Sequence, residues 1–319
     1  MRKKLYLVLD TETATLPFVN DIALDAKSKQ KLAIAKPLVY DIGWVIVDRM
    51  GNVFKKVNYL VQETFFVPNV FNTAYYKDKR PIYIDLLDRG EIKAENWKKI
   101  IDELVNDLSI CDITTAYNAC FDFKKAIPFT ERYIYHLYRS DYNKWEQGQY
   151  NHCKKLLSGA KDDDDKNPEF LKPYFKLRNI EYPLADLWSI ACEKLINIDK
   201  YRNYCLENQL ITPSALYFKT SAETSFRYLM SQNDFIEDHT ALSDAEIESK
   251  ILTKALKKGK ITPEINAFPF RNLGTTYDYV KERKPKYTDI LRDALNDYLD
   301  TLEEGTQYYS KIFNIISSL

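Results

Sequence analysis

The chain opens on an unbroken apolar run, Leu5-Tyr-Leu-Val-Leu9, the pattern of a strand buried on both faces. A polar, Lys-rich stretch over 21–36 separates it from two further apolar runs, Val39-Tyr-Asp-Ile-Gly-Trp-Val-Ile-Val47 and Val53-Phe-Lys-Lys-Val-Asn-Tyr-Leu-Val61. Between these lies the turn-forming cluster Asp48-Arg-Met-Gly-Asn52, so the pair predicts a β-hairpin. Over 94–108 the period changes. Trp97, Ile100, Ile101, Leu104, Val105 and Leu108 recur at three- and four-residue spacing, which predicts an amphipathic helix, and a fourth strand is expected from Ile110 to Tyr117. Three strands, a helix, a strand and later helices together predict an α/β fold, a mixed β-sheet with flanking helices.

Helical spacing returns at 184–197 (Leu184, Leu187, Trp188, Ala191, Leu195), at 244–257, and from Tyr287 to Leu319. In the last stretch Ile290, Leu291, Ala294, Leu295, Tyr298, Leu299 and Leu302 share one face, which must pack on something. Residues 130–180 are rich in Tyr, Lys and Asp and include Lys161-Asp-Asp-Asp-Asp-Lys166. Adjacent like charges have no fixed geometry, so this run is expected to be a solvated loop. No internal repeat is visible.

Composition narrows the function classes. The 319 residues hold 46 Lys and Arg against 46 Asp and Glu, a formal net charge of zero. That excludes coating nucleic acid by bulk charge but leaves a local site open. The basic, apolar start resembles a signal peptide, yet Asp10 and Glu12 cut the run short of a usable apolar region, and no stretch approaches the ~18 apolar residues of a membrane span. Five cysteines, an odd number with no C-x-x-C pair, suggest neither a disulfide framework nor a zinc knuckle, so a cytoplasmic location is expected.

Three segments carry candidate chemistry. Asp10 and Glu12 close the first strand, two residues apart and so on one face, at the strand end where α/β sheets place ligands. Carboxylates held that close repel unless a cation lies between them, which suits a hard divalent metal. Asn118-Ala-Cys-Phe-Asp122 follows the fourth strand, with Asn118 placed to cap a helix and Asp122 in its opening turn, where the helix dipole alone would also favour an acid. In Glu237-Asp-His239-Thr-Ala-Leu-Ser-Asp244-Ala-Glu246, Ser243 and Glu246 form a capping-box pattern that would start a helix at Asp244, leaving His239 on the preceding loop. Each segment alone has a structural explanation.

Their conjunction and order are specific. D-x-E on the first strand, N-x-x-F-D after a later strand and H-x-A-x-x-D at a late helix start resemble the DEDDh family of 3′–5′ exonucleases, the DnaQ-like enzymes with an RNase H-like fold. Leu9-Asp-Thr-Glu-Thr13 resembles that family's first motif, Tyr40-Asp-Ile-Gly-Trp44 its second strand, and Asp186-Leu-Trp-Ser-Ile-Ala191 the helix after its second motif. The resemblance spans roughly residues 4–257. It departs in three places: Thr13-Ala-Thr-Leu16 replaces the frequent Thr-Thr-Gly-Leu, Tyr117 precedes Asn118 where many members have His, and the interval from Asp122 to His239 is long. The expected layout is an exonuclease domain over 1–257, enlarged by an insertion at about 130–180 and a further one at 198–225, and a helical C-terminal extension over 258–319.

The resemblance implies that Asp10, Glu12, Asp122 and Asp244 bind two Mg²⁺ or Mn²⁺ ions, and that His239 takes a proton from the attacking water, a task suited to an imidazole. Its loop position implies closure over bound substrate. Thr13, Leu16 and Asn118 are the expected substrate contacts, Thr13 through its backbone and Leu16 as a wedge against the terminal base. Phe121 is either core or a stacking ring, and Lys250, Lys254, Lys257, Lys258 and Lys260 are either dipole partners of a helix end or a phosphate track. The implied activity is metal-dependent release of nucleotides from single-stranded 3′ ends, DNA favoured over RNA. An RNA-trimming exoribonuclease, a catalytically silent nucleic-acid or polymerase-binding module and an RNase H-fold endonuclease are the alternatives. Expected partners are single-stranded DNA or RNA 3′ ends, with a replication or repair protein or a second copy of the chain at the C-terminal helix, and no membrane.

Overall fold

The computed structural model describes residues 3–21, 24–160, 170–283 and 285–319. The Lys161–Lys166 acidic run lies outside the described residues. Two compact units divide the chain: residues 1–187 with 237–265, and residues 188–236 with 266–319.

The first unit is α/β, built on a seven-stranded mixed sheet of order β4-β3-β2-β1-β5-β7-β6. The apolar runs form β1 (Leu5–Ala14), β2 (Leu38–Asp48) and β3 (Val53–Val61). β2 is antiparallel to both neighbours, and every one of its residues is buried, as a central strand covered on both faces requires. The expected hairpin forms between β2 and β3. Asp48 Oδ1 accepts from the Met50 and Asn52 N–H groups at 2.7 and 3.0 Å, and Gly51 takes a left-handed φ of 84°. That conformation favours glycine because a side chain there crowds its own carbonyl.

The amphipathic helix runs from Trp97 to Ile110, capped by Asn96, whose side chain accepts the Lys99 N–H at 3.0 Å. It starts with the first residue of its apolar pattern, Trp97, because Lys93–Glu95, β4, pairs in parallel with β3. The indole of Trp44 on β2 donates to Asp107 of this helix at 2.8 Å, pinning helix to sheet. β5 (Ile113–Ala116) then runs parallel to β1.

Three expectations change here. The stretch 130–180 is not simply an insertion: the helix Ile127–Leu137 buries Phe129, Thr130 and Tyr133 in the core, and Thr130 Oγ1 accepts the Val39 N–H of β2 at 2.9 Å. Its end supplies β6 (Tyr174–Leu177), the sheet edge. The helix expected from 184 starts at Leu187, because Leu184, Ala185 and Asp186 end β7 (Ile180–Asp186), paired in parallel with β5. An apolar run of this length fits either element, and sheet pairing decides it. The compact units divide at 187/188, 236/237 and 265/266, so 198–225, expected as an insertion, groups with 266–319.

That second unit is helical, with helices at Asp199–Glu207, Ala222–Met230 and Thr276–Arg283 among others. Arg202 is buried in it and donates through Nε to the Leu273 carbonyl at 2.9 Å. The apolar face expected over 287–319 is broken into two helices, Thr288–Leu299 and Gln307–Ser318, with Gly305 at φ 84° in the connection and Thr306 capping the second. Leu291, Leu295 and Ile312 are its fully buried members. Among the described residues no helix is long and apolar enough to cross a membrane. Cys120, Cys153, Cys192 and Cys205 are buried and Cys111 is half-buried.

Candidate active site

The helix Ala241–Lys258 packs across β2, and Gly43 permits it: a Cβ there would lie 2.3 Å from the Leu242 nitrogen and 2.7 Å from the Ala241 carbonyl carbon. In the β1/β2 register Gly43 stands opposite Asp10, and Asp41 opposite Glu12. Cross-strand partners share a face, so the missing side chain at Gly43 lets the helix approach on the side where Asp10 and Glu12 project. Asp244, in the helix's first turn, thereby joins them.

The helix does not start as its capping-box pattern suggests. It begins at Ala241, three residues before Asp244, and neither Ser243 nor Glu246 caps it: Ser243 Oγ donates to Asp238 at 3.4 Å, and Glu246 pairs with Lys56 at 2.6 Å. Asp41 takes over this role from across the sheet, its Oδ2 accepting the Ala241 N–H at 2.8 Å and the Tyr83 hydroxyl at 3.0 Å.

Asp122 enters from β5 on a π-helical turn, Phe121–Ala126, where Thr11 Oγ1 donates to its Oδ1 at 2.6 Å. Asn118 is not an N-cap. It holds a left-handed φ of 71° in the turn before, and Asp186 Oδ1 accepts the Asn118 and Ala119 N–H groups at 3.0 and 3.1 Å.

The four predicted acids and the histidine therefore meet in one place. One ligand atom each of Glu12, His239 and Asp244 lie within 4.8 Å of one another. His239 Nδ1 is 3.9 Å from Asp244 Oδ2 and 3.8 Å from Glu237 Oε2. Asp10 is held well above the usual carboxylate range by burial and then by the charges of Asp122, Glu248, Asp244 and Glu12. Glu12 is raised likewise, by burial, Asp244 and Asp41, with Lys79 opposing. Burial pushes Asp122 up to about 7 against its hydrogen bond from Thr11. Asp244 rises to about 8 through burial and then Glu237 and Asp41.

Among the described residues Asp244 Oδ1 is buried with no hydrogen-bond partner. An unpaired buried carboxylate oxygen facing a crowd of like charges is unfavourable unless a cation joins it. An all-oxygen carboxylate set fits a hard ion such as Mg²⁺ or Mn²⁺.

The substrate contacts divide. Thr13 sits half-buried beside a bulge in the β1/β2 register after Glu12, and the Asn118 side chain is exposed. Leu16 is fully buried in the main core, so it cannot reach a base. The chain turns inward there because Thr15 is tied down, its N–H donating to Thr73 Oγ1 at 2.7 Å and its hydroxyl to the Lys36 carbonyl at 2.8 Å. Phe121 packs partly buried against the core, and the five lysines of 250–260 are exposed.

Four residues escaped the sequence reading. Glu248 lies one turn beyond Asp244, buried, accepting the Tyr117 N–H at 3.0 Å, its carboxyl raised by burial and then by Asp122. It interrupts the buried stripe Ala241, Ala245, Ile251, Leu252, Ala255, and an acid at that period was its only signal. Asp41 and Asp186 are acids within or ending apolar runs. Tyr76, whose ring stacks on the His239 imidazole, had no local signal. No family model matches the chain, and no curated protein matches it.

Proposed function

We propose that the chain is a metal-dependent 3′–5′ exonuclease of the DEDDh type on an RNase H-like sheet, releasing nucleotides from single-stranded ends, DNA favoured over RNA. One observation carries this reading: acids from three distant segments, Asp10 and Glu12, Asp122, and Asp244, converge beside His239 with a buried carboxylate oxygen left unpaired.

Asp10, Glu12, Asp122 and Asp244 would hold divalent cations, which when bound supply positive charge to the reacting phosphate and acidify water. The chain's own groups do the rest. Thr11 fixes one Asp122 oxygen through its hydroxyl and so orients the carboxylate. His239 sits at the rim of the carboxylate cluster, where its imidazole can take the proton of an attacking water. Lys79, which draws down both Glu12 and Asp244, is a positive charge beside the cluster and would meet a backbone phosphate.

End-labelled single-stranded DNA and RNA, incubated with Mg²⁺, Mn²⁺ or EDTA, test the reading. Stepwise shortening from the 3′ end with either metal, lost in EDTA and in Asp10→Ala, is expected, with circular single strands left intact. No degradation under any metal, Asp10→Ala behaving as wild type, would instead mark a silent binding module. Cutting of circles would mark an endonuclease.

A further inference from the structure

We infer that Tyr76 is the positioning residue of His239, holding its ring against the carboxylates by face-to-face stacking so that no loop closure is needed to bring it into the site. The ring centroids lie 4.3 Å apart with planes inclined by 14°.

The loop carrying His239 is strained and gripped. His239 holds a left-handed φ of 50°, an arrangement that costs a non-glycine residue about 1 kcal/mol or more and persists only where its surroundings over-determine it. Segment 73–83 supplies three of those surroundings. The Tyr83 hydroxyl, whose one proton is shared with Asp41, lies 3.3 Å from the His239 carbonyl, Lys79 donates to the Asp238 carbonyl, and Tyr76 covers the imidazole.

Tyr76 is itself backed on two sides. Lys79 Nζ stands 4.9 Å from its ring centroid, and Tyr75 meets it edge-on at 4.9 Å. The turn is tied to the exit of β1 because Thr73 Oγ1 accepts the Thr15 N–H at 2.7 Å, its own proton shared between the Val70 and Thr15 carbonyls. Strand, tyrosine and histidine therefore form one chain of contacts from the end of β1 back to Asp244. Rotation about the Cβ–Cγ bond would tilt the imidazole out of the stack, so Tyr76 fixes the ring plane and with it the position of Nδ1 beside Asp244 and Glu237.

The kinetic consequence rests on the exonuclease reading, whereas the stacking does not, and the experiment separates them. The chain holds three histidines, His136, His152 and His239, so histidine-labelled full-length protein gives three imidazole signals. His136 stacks on Trp145 at 5.2 Å and serves as an internal control. Tyr76→Leu should move the His239 signal downfield through loss of the ring current and leave the other two in place, and Tyr76→Phe should preserve it.

In turnover of end-labelled single-stranded DNA, Tyr76→Leu should lower kcat by about 10- to 100-fold with little change in KM, the cost of a misplaced general base. Tyr76→Phe should restore most of that loss. In a His239→Ala background Tyr76→Leu should cost nothing further, because two residues acting through one group are not additive. Tyr76→Met, which keeps bulk without an aromatic face, takes the place of Tyr76→Leu if that variant does not fold.

An unmoved His239 signal, the same fold-loss in the His239→Ala background, or a loss confined to KM would each overturn the assignment. Wild-type protein inactive with every metal would overturn the exonuclease reading, and the histidine signals would then decide the positioning claim alone.

Discussion

One buried carboxylate and a crowded cluster of five, packed around the same sheet, are treated in opposite ways. Asp107, on the helix that packs on β2, accepts the Trp44 indole at 2.8 Å and the Lys55 ammonium at 2.7 Å, so the chain supplies both a neutral donor and a positive charge. Asp10, Glu12, Asp122, Asp244 and Glu248 are gathered with like charges instead, and Asp244 keeps an oxygen with no partner among the described residues. Asp107 brings its counter-charge with it, whereas Asp41 is held by neutral donors, the Ala241 N–H and the Tyr83 hydroxyl. In the crowded cluster Lys79 opposes only part of the negative charge, which leaves room for a cation from outside and costs metal-free stability.

The strongest way to break this contrast is to neutralise one member of the crowded group. Asp10→Asn should lower nuclease turnover by at least ~10²-fold, because a preorganised charge at the reacting centre is lost, while raising the melting temperature in EDTA because one repelling charge is gone. Loss of both activity and metal-free stability would contradict the account. Next in size is Gly43→Ala. Its Cβ has no room against the Leu242 backbone, so it should cost about 3 kcal/mol in denaturant unfolding and detach Asp244 from the β1 acids. Asp107→Ala is the complementary change: it should cost about 1–3 kcal/mol by stranding Trp44 and Lys55, with turnover at saturating metal unchanged in the folded fraction.

How these groups arise also explains what the sequence discloses. Asp10 with Glu12, and His239 with Asp244, lie within a few residues of each other, so spacing alone betrays them. The strands β1 to β3 are similarly legible because β2 is buried throughout and its apolar run is continuous. Glu248, Asp41 and Tyr76 act through partners 131, 200 and 163 residues away respectively, and no local window contains such a pair. The Ser243 and Glu246 pattern misleads for the same reason, since Asp41 supplies the helix start from another strand and frees both side chains. Leu16 misleads because its surroundings, not its type, bury it.

Solution pH sharpens the comparison at smaller amplitude. Asp122 and Asp244 rise to about 7 and about 8 in the folded protein from the ordinary ~3.8 of an unfolded chain, so the folded state binds more protons between those values. Their contribution to stability is therefore full below about pH 4 and is lost as pH rises through 7 to 8. In EDTA the melting temperature should fall from pH 5 to pH 8, and saturating Mn²⁺ should recover about 5 °C at pH 8 and far less at pH 5. An equal metal effect at both values would argue against the cluster as its seat.

The smallest change is Glu248→Gln. The amide oxygen can still accept the Tyr117 N–H, so turnover should fall by less than about 10-fold while the metal-free melting temperature rises.

Direct counting of bound Mn²⁺ by electron paramagnetic resonance tests the central claim most closely. Wild type and Asp107→Ala should each bind about two ions per chain at pH 7.5, and Asp10→Asn fewer and more weakly. Binding that is absent from wild type, or undiminished in Asp10→Asn, would contradict the view that this carboxylate cluster is built around a missing positive charge.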